Sequence, residues 1–238
     1  MKTLLNLILV SMLIITVGNL NAASSSGESK SADSEKAEKT LKKAVIALDH
    51  VMEDPENSIP QDLIHSAEGI VIFPGAFKVA VGFLGGQGAR GIAMIRKEDG
   101  SWSNPFFVTL GEGSLGFQIG AQASDIVLLF KDRNDIIEID QADITLGGDV
   151  GVAAGPANKG SSSSTDITFE SEIYSYYRSK GLFAGVSLKG GILSYNKNIS
   201  ESLYGIDDVS TDVIFRGTET PFNVYVNDLI EAMVMYGE

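Results

Sequence analysis

The sequence predicts an α+β fold: a Gly-rich, curled antiparallel β-sheet or barrel, with N-terminal and C-terminal helices packed on its ends. Three observations carry this. Of the 26 glycines in the 238 residues, 21 fall between Gly69 and Gly191, and each would weaken a helix by about 1 kcal/mol. In that same region apolar residues recur with period two, the spacing of a strand. Helical spacing is confined to the two ends of the chain, which argues against a doubly wound fold with alternating helices and strands.

The elements follow in order. Met1-Lys2, the apolar run Leu4 to Val17 and the small residues Asn21-Ala22-Ala23 read as a signal peptide over residues 1–23, too short in its apolar part to span a bilayer. Residues 24–36, rich in Ser, Glu, Lys and Asp, read as a flexible arm, and 37–238 as a single domain. Ala37, Leu41, Ala44, Val45, Leu48 and Met52 form a helical stripe ending before Pro55. Ser58 with Gln61 fits a capping box for a short helix from Pro60 to Ala67, completing a helical part over 37–67. The β core spans 69–195. Strands are expected at Ile70–Phe73, Phe77–Leu84, Ile92–Lys97, Trp102–Thr109, Leu115–Lys131 (bending near Ser124) and Asp143–Ala153. A hairpin joins Thr165–Arg178 to Leu182–Tyr195 across Ser179-Lys180-Gly181. The remaining part, 196–238, holds a helix near Lys197–Tyr204, a short strand at Val213–Phe215 and a last helix from Thr220-Pro221.

Composition limits the chemistry. There are no cysteines, so disulfides, thiolate metal sites, a cysteine nucleophile and a lipidated N-terminal cysteine are excluded. The net charge of −13 opposes nucleic acid and anionic surfaces at long range. Gly86-Gln-Gly88-Ala-Arg-Gly91 and Gly111-Glu-Gly113-Ser-Leu-Gly116 match a dinucleotide-loop pattern, but each precedes a strand instead of the helix that a pyrophosphate needs. They read as turns requiring φ > 0. His50 and His65 lack metal-site spacing and read as solvated, and neither Ser114 nor Ser187 lies in a nucleophile elbow. Asp125 could meet Glu170 or Glu172 in the sheet; an ion pair with Arg178 or Lys180 is the structural alternative. No cofactor and no metal site is expected.

Basic side chains beside apolar ones at strand tips suit a phosphate-bearing interface. The candidates are Arg90, Arg178 and Lys180 with Leu182 and Phe183. Lys39, Lys42 and Lys43 form a second candidate set on the first helix if that helix faces a membrane; the alternative is that its apolar stripe packs on the domain.

Five segments also resemble the SYLF domain: Gly69 to Pro74, Trp102 to Thr109, Gly116 to Asp125, Leu146 to Pro156 and Glu170 to Leu188. The resemblance implies a non-catalytic module that binds phospholipid, with a phosphoinositide-type or other anionic head group. With the leader it implies an exported, periplasmic or secreted protein of the bacterial envelope. No nucleic-acid or nucleotide partner is implied. Eukaryotic SYLF proteins also bind actin, an activity not carried over to a chain that reads as exported. Two alternatives stand beside this reading: an envelope interaction module that binds a protein partner and no lipid, and a hydrolase acting on lipid or glycan.

Overall fold

A computed structural model describes residues 29–53, 58–156, 169–179, 182–183, 188, 190–217, 221 and 223–237, the side chains of 79–85, 114–122, 179 and 182–183 excepted. The expected signal peptide and Lys180 lie outside these residues. The first helix, α1, covers residues 29–52, so the expected arm is already helical over 29–36. Its stripe points inward: Ala37, Leu41, Ala44, Leu48 and Val51 are buried. Helix α2 (Gln61–Ser66) follows, with Pro60 at its cap position.

Two strands dominate. β1 (Gly69–Ile95) and β2 (Phe106–Phe130) pair antiparallel along almost their whole length. The strands expected separately at 70–73, 77–84 and 92–97 are thus stretches of one ribbon, joined to β2 through a turn at Gly100 (φ 84°). A straight strand of 27 residues would extend about 90 Å. Instead Arg96 N–H donates to Glu68 O at 2.8 Å, so β1 bends back until its two ends lie side by side. Gly91 permits this approach: a Cβ there would strike Ile72 O and come within 2.6 Å of Phe73 Cδ1. The dinucleotide-like glycines therefore do not form turns. They sit in the ribbon, Gly86 opposite Gly113 and Gly88 opposite Gly111. Among described glycines, positive φ occurs at Gly75, Gly100, Gly147, Gly190 and Gly205.

Short strands complete the seven-stranded sheet among the described residues. They are β3 (Ile144–Thr145), β4 (Val152–Ala154), β5 (Ile173–Ser179), β6 (Leu182–Phe183) and β7 (Ile192–Tyr195), with α3 (Asn134–Ile137) before β3. β5 pairs with β2 and forms the expected hairpin with β6, described over the pairs Arg178–Phe183 and Ser179–Leu182. β7 leaves the hairpin and pairs with β2 and β3. The β4–β5 pair is parallel, which makes the sheet mixed. The strand expected at 143–153 splits around a turn, where Asp149 accepts from Thr145 N–H. α4 (Lys197–Tyr204) matches its expectation and is capped by Asn196. Val213–Phe215 is helical, in α5 (Thr211–Arg216), because Ser210 caps it and Ile214 and Phe215 turn into the core. α6 (Val224–Gly237) closes the chain.

The fold is α+β, a curled sheet with helices from both chain ends. Those helices cover its faces. Ile70, Ile72, Ile92, Met94, Phe107, Val127 and Leu129 face α1, α2 and α6. Val71, Phe73, Ala93, Phe106, Val108 and Leu128 face Ile136, Ile214 and Phe215 on the other side.

Candidate functional site

Strand alternation sets the site. Ile72 and Ile92 point to the α1 side of the sheet, so Arg90, two residues before Ile92, points there too. Beyond Phe73 the pairing slips by one position, a bulge at Pro74-Gly75. Gly75 takes φ 63°, a conformation that glycine adopts without a Cβ penalty. Its N–H donates to Asp125 Oδ1 at 2.8 Å, and His50 Nδ1 lies 3.2 Å from Asp125 Oδ2. Asp125, from β2, thereby ties the bulge to α1. His50 is half-buried in this link, not solvated as expected.

Between α1 and the bend of β1 lies an open cleft of about 430 Å³. Lys36, Lys39 and Lys43 line it from α1, spaced so that they share one side of the helix. Arg90, Pro74 and Gly75 line it from the sheet, and Glu35 adds one carboxylate. Lys36 is paired with Asp33 at 2.8 Å. Among the described residues, Lys39, Lys43 and Arg90 have no ion-pair partner, and all three are exposed. Two separate sequence-predicted sets, the first-helix lysines and Arg90, thus meet at one place.

The other candidates do not join them. Lys42 points elsewhere, with its ammonium 5.9 Å from the Tyr225 ring centre. Arg178 is engaged in packing: it lies 2.7 Å from Glu53 Oε2, donates to His50 O, and its side chain is 20% exposed. Leu182 and Phe183 have described backbone only. Asp125 meets neither Glu170 nor Glu172; Glu172 accepts from Gly151 N–H. His65 lies at the far end of α2, 3.1 Å from Gly237 O. Among the described residues, no group of His, Asp and Glu is arranged to hold a metal ion. Tyr174 and Tyr176 are core residues, and burial pushes the Tyr176 hydroxyl up from its ordinary value. No described helix is long and apolar enough to cross a membrane.

Sequence reasoning missed one lining residue and one exposed neighbour of the bulge. Lys36 falls in the expected arm, outside the helix that in fact carries it. Phe77, a large apolar side chain just past the bulge, is 52% exposed; a strand pattern does not show which apolar residue lacks cover.

An α+β module with an open, charged cleft between its first helix and the bend of its sheet has the form of a binding module. Comparison with known proteins gives the family. Residues 111–236, just over half of the chain, match the Ysc84 family model, described as "Las17-binding protein actin regulator". The chain belongs to this family, the Ysc84 or SYLF domain. It is 32% identical over 186 residues to human SH3 domain-containing YSC84-like protein 1, covering 77% of this chain and 53% of that protein. It is 29% identical over 167 residues to LAS seventeen-binding protein 3 of Saccharomyces cerevisiae, covering 68% and 36%. An SH3 domain-containing protein of Schizosaccharomyces pombe is 33% identical over 150 residues, covering 61% and 34%. The chain spans about half the length, or less, of these curated relatives. The Saccharomyces cerevisiae protein is named for binding, and none of the three is named for a reaction.

Proposed function

We propose that the chain is a non-catalytic module that binds anionic phospholipid surfaces through the cleft between α1 and the bend of β1. One observation carries this reading: Lys39, Lys43 and Arg90, none in an ion pair among the described residues, converge on an open cleft that holds one carboxylate, Glu35, in a chain of net charge −13. In a strongly acidic protein, uncompensated cations gathered at one point are a local reversal of the mean field. Each Lys or Arg near an anionic membrane contributes about 1 kcal/mol, so three supply about 3 kcal/mol, about a hundredfold in partitioning. Phosphoinositide-type head groups, with several phosphate charges, suit this cluster better than a zwitterionic head group. The leader-like first 23 residues support export and a place in the bacterial envelope. The names of the relatives support a second use of the domain, docking of a protein partner.

The test is vesicle flotation with phosphatidylcholine alone and with 20% phosphatidylglycerol or phosphoinositide added. The Lys39→Ala/Lys43→Ala/Arg90→Ala variant should lose at least tenfold in binding to anionic vesicles while keeping its melting temperature. Binding of the parent should fall as salt rises from 50 to 300 mM, because exposed charges are screened within about 8 Å at physiological ionic strength. No flotation of the parent at low salt would favour the protein-partner reading instead.

A further inference from the structure

The cleft accounts for the phosphate and leaves unexplained why a phenylalanine is exposed beside it. Phe77 lies two residues past Gly75, which lines the cleft, a distance of about 7 Å along the strand. Ala76, before it, is buried on the face opposite α1 together with Phe73, so alternation returns Phe77 to the α1 side, the side of Arg90. Its cross-strand neighbour is Ala123, itself exposed and too small to cover a phenyl ring. Of the other large exposed apolar side chains described, Ile46 stands on α1, three residues past Lys43, and is less exposed than Phe77, whereas Val213 and Met235 stand on α5 and α6.

We propose that Phe77 is the apolar anchor that seats this face on a bilayer, entering the head-group boundary while Lys39, Lys43 and Arg90 engage lipid phosphates. The inference rests on the lipid-binding reading and deepens it, by choosing the membrane interface over a soluble phosphorylated ligand. The choice follows from chemistry. A free phosphate in the cleft would need the cations alone. Cations with an aromatic ring on the same face match a surface that is anionic outside and apolar a few ångströms deeper. The pairing also offsets the acidic chain's repulsion from the membrane, since the contribution of the ring does not depend on charge.

Three variants of the full chain test this. Phe77→Ser should lower partitioning onto phosphatidylcholine vesicles with 20% phosphoinositide at least fivefold, and Phe77→Leu should restore most of it. Binding of soluble inositol trisphosphate should be the same in the parent and in Phe77→Ser. Phe77→Trp adds a probe to a chain whose sole tryptophan, Trp102, is 4% exposed and lies under Arg96. Its emission should shift to the blue with those vesicles and be quenched by lipids brominated near the head of the acyl chain. If Phe77→Ser floats like the parent and the emission of Phe77→Trp does not move, the anchor is wrong while the lipid-binding reading stands. If the parent does not float, or the triple cation variant floats equally well, the lipid-binding reading fails and the anchor with it.

Discussion

At residues 69–73 and 91–95 the sheet is covered on both faces, whereas around the bend, at 75–77, 88–90 and 111–113, it is largely open. The first region holds Ile70, Ile72, Phe73, Ile92 and Met94, all fully buried. The second holds Gly75, Phe77, Gly88, Arg90, Gly111 and Gly113, all exposed. The same two strands build both regions, so strand pairing alone does not decide burial. The position of α1 does. It crosses the sheet at the boundary, packing Leu41, Ala44 and Leu48 on one side of its axis and presenting Lys39 and Lys43 to the cleft on the other. A fully covered sheet needs large side chains of fixed shape; an open one tolerates glycine and exposed charge. Stability is concentrated in the first region and recognition in the second.

Substitutions can break this division. The largest effect is expected at Phe107, fully buried against the helices: Phe107→Ala should cost about 4 kcal/mol by denaturant unfolding. Next are two glycines three residues apart. Gly91→Ala places a Cβ against the Ile72 backbone and should cost about 3 kcal/mol. Gly88→Ala meets nothing within 4 Å and should change stability by less than about 0.5 kcal/mol. Equal losses at the two glycines would contradict the side-by-side placement of the β1 ends. Asp125→Ala removes the acceptor shared by Gly75 and His50, and should cost about 1–2 kcal/mol and weaken anionic vesicle binding by loosening the bulge.

The smallest effect concerns Asp135. Burial, with Asp132 and Glu172 nearby, raises its carboxyl above the usual aspartate range. Folding therefore favours the protonated acid. The stability this group supplies is complete below the unfolded value of about 3.9 and is lost as pH rises through the raised folded value. Asp135→Asn should give a small rise in melting temperature at pH 7 that disappears near pH 3.

Much of the fold is legible in the sequence because short apolar runs bounded by turn residues mark buried strands, as at Ile70–Phe73, which is covered on both faces. The continuity of β1 is not legible. Glycines such as Gly86 and Gly88 read as turns, yet here they face glycines across the strand pair and leave the ribbon free to bend. α5 reads as a strand because Val213, Ile214 and Phe215 favour one; the Ser210 cap and the burial of Ile214 and Phe215 override that preference. In the candidate site, Lys39, Lys43 and Arg90 are visible in the sequence as single cations. Their grouping depends on the bulge at Pro74-Gly75 and on the crossing of α1, neither of which has a local signature. Arg178 is equally visible, but its partner Glu53 directly follows α1, 125 residues earlier.

The most direct test of the division is amide hydrogen exchange on the whole chain, with and without phosphoinositide-containing vesicles. Slowed exchange confined to residues 32–43 of α1 and 74–90 of β1, with the core strands at 126–130 unchanged, is the predicted result. Protection that appears only elsewhere, for instance on α5 or α6, would contradict it.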